Sequence, residues 1–339
     1  MRPTVIKLSD IVQATGIDPA ETKAVLRAFC HQPAEVNHDF VLPNSQPGPN
    51  FAFKPLIQLD NDRDVLLCPT VCSEAFYEAI ATALRRVDKQ TEGKIGKATE
   101  RFVRRQLEER GIAALSGYYE YGGTEYECDL AIETPEVILL VELKKKPLTR
   151  RAQAGRNIDI LMDLAQSLFD AQIQLNRHEL VLRQAGSLTL MNKDGAEARI
   201  DLGEKSVAKI AMTLLDYGSF QDRRVLFQIF QTCVGTTFST DSNAEVDNIK
   251  KLNSRARKLA AQYRQLTCLD TAYSQYPNQF VNSWFLSVPQ FLVLLSNASS
   301  SATLVKELLM TAAVTTHSLD WYQEYAFVRK ILSQQQCRN

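Results

Sequence analysis

The sequence predicts an α/β protein with a mixed central sheet flanked by helices, a helical C-terminal part and a small α+β domain at the N-terminus. Three observations carry this expectation. Residues 112–146 read as three successive strands joined by tight turns. Amphipathic helical stretches stand on both sides of them. The third strand, "EVILLVEL", is apolar on both faces, as in a central strand covered from two sides. A chain of 339 residues, at roughly 100–200 residues per domain, is expected to form two domains. We place the boundary near residue 92, giving an N-terminal domain over 1–92 and a second over 93–339.

The elements follow in order. "LSDIVQATGIDPAETKAVLRAF" has helical spacing before Gly16, a turn at "IDPAE" and a fresh helix start at Pro19. It reads as a helix-turn-helix or as an ordinary helical hairpin. "LPNSQPGPN" (42–50) is a loop by composition. "KPLIQLDNDRDVLLCP" is expected to form a hairpin around "DNDRD", followed by the helix "EAFYEAIATALRRV" and a connector "DKQTEGKIG". "GKATERFVRRQLEER" is helical, buries Phe102, Val103 and Leu107, and ends at Gly111. Three strands come next, turning at Gly122-Gly123 and Thr134-Pro135. A long helix is expected over roughly 149–175, then a hairpin within "HELVLRQAGSLTLMNKDGAEARIDL". "VAKIAMTLLDYG" fits a strand or a helix. The remainder is mostly helical, with a last strand in "FVNSWFLSV".

Lys and Arg together number 39, as do Asp and Glu, so any affinity for polyanions must come from local clusters. Seven scattered cysteines suggest reduced thiols in a cytoplasm. The N-terminus lacks the long apolar core of a signal peptide. "WFLSVPQFLVLLSNA" falls short of the roughly 20 apolar residues of a membrane span. The expectation is a soluble cytoplasmic protein without a membrane partner.

The chemistry-bearing stretch is "YECDLAIETPEVILLVELKKK", residues 126–146. Side chains alternate across a strand, so Ile138, Leu140, Glu142 and Lys144 share one face. A turn centred on Thr134-Pro135 sets Asp129 opposite Leu140, and one centred on Pro135-Glu136 sets it opposite Glu142. Either register puts both carboxylates on one face, where they repel and one tends to stay protonated. A hard divalent cation relieves that repulsion, because Mg²⁺ prefers carboxylate oxygens, keeps waters and accepts phosphate oxygens. Lys144, two residues beyond Glu142, can then hold a water or neutralise charge building on a phosphate.

Asp129, twelve intervening residues, then Glu142-Leu143-Lys144 resembles the core motif of the PD-(D/E)xK phosphodiesterases, the restriction-endonuclease-like superfamily. The resemblance covers roughly residues 94–176, with the strand near 205–216. It implies a restriction-endonuclease-like sheet, Mg²⁺ (or Mn²⁺) on Asp129 and Glu142, and Lys144 as the catalytic lysine. Some members carry a further acid on the preceding helix, which would be Glu100, a direct or outer ligand. Some carry a glutamine on the following helix; Gln166 is the first candidate, with Gln153 and Gln172 as rivals. Cys128 stands where the motif's name has proline.

Two basic clusters flank this motif: Lys94, Lys97, Arg101, Arg104 and Arg105 before it, and Lys144, Lys145, Lys146, Arg150, Arg151 and Arg156 after it. Lys97, Arg101, Lys145, Lys146, Arg150 and Arg151 are the expected phosphate contacts. In "KKLNSRARKLAAQYRQ", Lys251, Arg255 and Lys258 form one helical stripe, and Lys250, Arg257 and Arg264 another. A zinc site from Cys68, Cys72, Cys30, His31 and His38 fits no structural spacing. No G-x-S-x-G elbow and no phosphate-binding Gly-Lys-Ser/Thr loop is present. The resemblance therefore implies a metal-dependent nuclease, a DNA endonuclease before an RNA-directed enzyme, serving restriction, phage defence or repair. It would act as a homo-oligomer or with a partner subunit. The alternative is a catalytically silent nuclease-fold module that binds nucleic acid or assembles with others.

Overall fold

A computed structural model of the chain describes residues 4–32, 54–66, 72–192, 194–270, 280–312, 316 and 318–336. The expected loop at 42–50 and the zinc candidates Cys68 and His38 lie outside them, as does the Cys72 side chain. Two compact units are present: Met1–Ile95 with Arg150–Arg156, and Gly96–Thr149 with Asn157–Asn339.

The first unit holds β1 (Thr4–Lys7), α1 (Leu8–Thr15), α2 (Pro19–Phe29), β2 (Cys30–His31), β3 (Leu56–Gln58), β4 (Arg63–Leu66) and α3 (Cys72–Val87). Its four strands run in the order β1-β4-β3-β2. Gly16 closes α1 at φ 69°, and the Asp18 carboxylate accepts from the amides of Ala20 and Glu21 to start α2. Asp60 organises the β3–β4 turn, its Oδ1 accepting from the amides of Asp62 (2.9 Å) and Arg63 (2.8 Å).

Residues 88–96 do not form the expected connector. α4 begins at Thr91 and runs unbroken to Glu108. Asp88 turns the chain into it, its carboxylate accepting from the Gln90 amide. Gly93 and Gly96 read as breakers because each costs a helix roughly 1 kcal/mol relative to alanine. Burial of Val103 and Leu107, both fully enclosed, outweighs that cost.

The second unit is mixed α/β, with helices on both faces of a seven-stranded sheet ordered β11-β10-β7-β6-β5-β8-β9. β5 (Leu115–Tyr121) and β6 (Thr124–Glu133) join through Gly122 and Gly123, whose positive φ (61° and 72°) suits a tight two-residue turn. β6 pairs antiparallel with β7 (Val137–Lys144) from Leu130↔Val141 to Glu133↔Ile138, which centres the turn on Pro135-Glu136. β10 (Ser206–Thr213) is a strand, parallel to both β7 and β11 (Ser283–Ser287). Every residue of β10 after Ser206 is buried, so its apolar run had no polar face to reveal its period.

The helix expected over 149–175 is broken and longer. α5 (Arg150–Gln153) stops before Gly155, which has φ 82°. α6 (Asn157–Leu164) passes through a π-helical turn, Ala165–Phe169, into α7 (Asp170–Ala185), closed by Gly186 at φ 73°. Residues 178–185, expected to open a hairpin, are therefore helix. The hairpin is β8 (Ser187–Met191) with β9 (Glu197–Asp201). Leu180, Val181 and Leu182 are all buried, and a helix enclosed on all sides shows the same short apolar run as a strand.

α8 (Arg223–Gly235), α9 (Val246–Leu269), α10 (Val288–Ser296), α11 (Ser301–Met310) and α12 (Trp321–Gln336) complete the unit. One core packs Ile138, Leu140 and Ala211 with Leu175, Leu182 and Leu259. The other packs Leu139, Val141 and Ile210 with Val103, Leu107, Phe291 and Leu304. Among the described residues, no single helix is long and apolar enough to cross a membrane.

Candidate active site

The alternation of β7 sends Ile138 and Leu140 into the core beneath α7 and α9, and Glu142 follows on that face. Its carboxylate is fully buried, and Oε1 lies 2.8 Å from His178 Nε2 on α7. His178 Nδ1 lies 2.6 Å from the Tyr119 hydroxyl on β5. An ionised Glu142 can only accept, so Nε2 carries the hydrogen; in a neutral ring, Nδ1 then accepts from Tyr119 O–H. Glu142 Oε2 lies 3.4 Å from Lys144 Nζ, which also donates to Gln174 Oε1 on α7. Burial pushes the Glu142 carboxyl up, but His178 and Lys144 more than offset it, and the net shift is downward.

Asp129 stands on the neighbouring strand. Extending the β6–β7 register by one residue from Leu130↔Val141 brings it level with Glu142. Against β5 the register shifts, from Leu115↔Ala131 to Gly117↔Cys128, so Asp129 and Leu130 together face the single residue Ser116. Such a bulge bends the strand and re-aims its side chains. Asp129 Oδ2 accepts from the Leu143 amide at 2.8 Å, between the two charged residues of β7. Arg104 of α4 donates to the Asp129 carbonyl at 2.9 Å. Burial, then the charge of Glu142, push the Asp129 carboxyl up to about 8, and Glu100 adds to the rise.

Two cavities of opposite character flank these residues. One, of about 450 Å³, is lined by Asp129 with Glu100, Glu127, Asp194, Glu197 and Arg104. The other, of about 660 Å³, opens beside Lys144 and is largely cationic.

Asp129 and Glu142 suit a divalent ion. Burial and the neighbouring Glu142 charge raise the Asp129 carboxyl, a cost that a cation would relieve, and Mg²⁺ needs only one or two carboxylates beside waters and phosphate oxygens. Among the described residues, no group of three or more His, Cys, Asp or Glu side chains stands at metal-ligating spacing. Glu100 shares the acidic cavity with Asp129, where an outer role suits it better than direct ligation.

Gln166 sits in the π-helical turn and lines the cationic cavity with Lys144, but the glutamine that reaches Lys144 is Gln174. Gln172 faces the interior, its Nε2 within hydrogen-bonding distance of Asn176, Tyr263 and Ser283. Gln153 lies on α5. Arg101 is exposed and lines the acidic cavity, and Lys97 is exposed one turn earlier. Lys145 is exposed, whereas Lys146 pairs with Asp163 at 3.1 Å. Arg150 and Arg151 are exposed on α5. Lys251, Arg255 and Lys258 line the cationic cavity; Lys250, Arg257 and Arg264 do not. Sequence reasoning missed Tyr119, Gln174 and His178. Gln174 and His178 are four residues apart, one face of a helix, but that signal vanishes when 178–185 is read as strand.

In comparisons with known proteins, the chain matches no family model, no curated protein and no solved structure.

Proposed function

We propose that this chain is a divalent-metal-dependent nuclease with a restriction-endonuclease-like core, and that it hydrolyses the phosphodiester backbone of DNA. One observation carries the reading: Glu142 and Lys144 lie 3.4 Å apart at the end of a central strand, with Asp129 bonded to the Leu143 amide between them. The order α4-β5-β6-β7, then helix, then β10 parallel to β7, supports the fold assignment.

Asp129 and Glu142 would hold Mg²⁺ or Mn²⁺, and the ion would supply Lewis-acid neutralisation of the phosphate. His178 fixes the Glu142 carboxylate through Oε1, and Tyr119 fixes the His178 ring. Lys144, tethered by Gln174, presents an ammonium where a water or a phosphate oxygen would sit. Incubating the purified protein with plasmid, linear and single-stranded DNA, and with RNA, with and without Mg²⁺ or Mn²⁺, tests this. Metal-dependent DNA cleavage is expected, with Asp129→Ala abolishing it and Lys144→Ala slowing it at least about 100-fold. Undiminished cutting by either variant refutes the assignment, and preferential cutting of RNA corrects the substrate.

A second reading, a silent nucleic-acid-binding module on the same fold, draws on the engagement of both Glu142 oxygens by protein groups. It requires DNA binding without turnover in any divalent metal.

A further inference from the structure

Among the described residues, the cavity beside Lys144 gathers five cations, Lys144, Arg177, Lys251, Arg255 and Lys258, around one carboxylate, Asp170. Arg255 takes up that carboxylate through Nε and Nη2, at 2.8 and 2.9 Å, and Lys144 faces Glu142 behind the lining, so the cavity keeps an excess of positive charge. The arrangement follows from how α9 packs. Leu252, Ala256, Leu259 and Tyr263 bury its inner face, which fixes Lys251, Arg255 and Lys258 along the flank that opens on the cavity. Lys251 and Lys258 are exposed. The cationic groups are kept together at a cost in mutual repulsion, and a polyanion removes that cost.

The spacing specifies the polyanion further. Lys251 to Lys258 spans seven residues, about 10 Å of helix at roughly 1.5 Å per residue. Phosphates on one strand recur every roughly 3.4 Å of duplex axis, so this flank spans about three phosphate-to-phosphate intervals, roughly three to four phosphates in succession. Lys144 lines the same cavity, so a backbone lying there would run on to a phosphate beside Lys144. Among the described residues no aromatic side chain lines the cavity, and none there offers a platform for stacking bases.

We propose that the α7–α9 cavity holds the sugar–phosphate backbone of the cleaved DNA strand, over about three to four phosphates on one side of the scissile bond, without reading sequence. The proposal rests on the nuclease reading, and its test separates the two. Binding of fluorescent single-stranded and duplex oligonucleotides is measured in EDTA, where nothing is cut, across a salt series. Replacing Lys251→Ala with Lys258→Ala should flatten the slope of log affinity against log salt by about 1.4 on a single strand and about 1.8 on a duplex. The control pair Lys250→Ala with Arg257→Ala, on the other flank, should leave the slope unchanged. Equal slopes for wild type and the Lys251/Lys258 variant, or no DNA binding by the wild type even at low salt, overturn the proposal. Binding with the expected slopes but no cleavage in any metal overturns the nuclease reading alone. With a cleaved oligonucleotide, single neutral methylphosphonates should inhibit at about three to four positions on one side of the cut and lose that effect in the Lys251/Lys258 variant. Sensitivity spread evenly on both sides contradicts the assignment.

Discussion

In the proposed chemistry Asp129 is the central residue, and its carboxyl is pushed to about 8 by burial and by the charge of Glu142. A folded-state value above the unfolded one means that its contribution to stability is fully present below about pH 4 and is lost as pH rises to about 8. Without metal, Asp129→Asn should therefore melt close to the wild type at pH 4 and above it at pH 8.5, the gap opening between those limits. A constant gap across that range would show that the carboxyl is not displaced. The same displacement predicts that Mg²⁺ binding near pH 7 releases a proton, readable by titration in buffers of different ionisation enthalpy. His178 belongs to this scale too. It touches Glu142 rather than substrate, so His178→Ala should weaken metal binding by about 10–100-fold, with His178→Gln recovering part of it. Metal affinity unchanged in both variants would reduce His178 to a packing residue.

At the scale of elements, β7 was legible because charge appears only where its apolar run ends, and hairpin parity narrowed its register against β6 to two. The choice between those registers needed the turn geometry, and the bulge at Asp129–Leu130 had no sequence mark. α7 was misread at its C-terminal half for a related reason. Beside His178, Glu179 is also fully buried, and its Oε2 lies 2.7 Å from Lys209 on β10, which is equally enclosed. In the sequence these charges look like polar faces of a strand and a helix, whereas Glu179 and Lys209 form an internal ion pair in which Arg183 also reaches Glu179. Removing one partner strands the other, so Lys209→Ala should cost about 3–5 kcal/mol in chemical denaturation. A loss under about 1 kcal/mol would mean that Glu179 is satisfied by Arg183 alone. Gly117 marks a different constraint: a Cβ there would lie 2.5 Å from the Met191 carbonyl oxygen. Gly117→Ala should therefore destabilise the β5–β8 junction by about 1–3 kcal/mol, again read by denaturation.

At the scale of the whole molecule, equal numbers of acids and bases concealed a strong local asymmetry. Acids collect in the cavity at Asp129 and bases in the cavity at Lys144, and only folding brings α9, far along the chain, to the second. The acid–lysine motif was legible because its members are close in sequence. The residues that hold it, Tyr119, Gln174 and His178, were not, because their partners lie 30 or more residues away. The proposed chemistry depends on one ion bound between the ends of two strands. Manganese titration of the metal-free protein, followed by the loss of the free-ion resonance, tests this most directly. One site per chain is expected in the wild type, lost in Asp129→Asn and in Glu142→Gln while both variants keep their fold. No site in the wild type, or the same site in both variants, would contradict it.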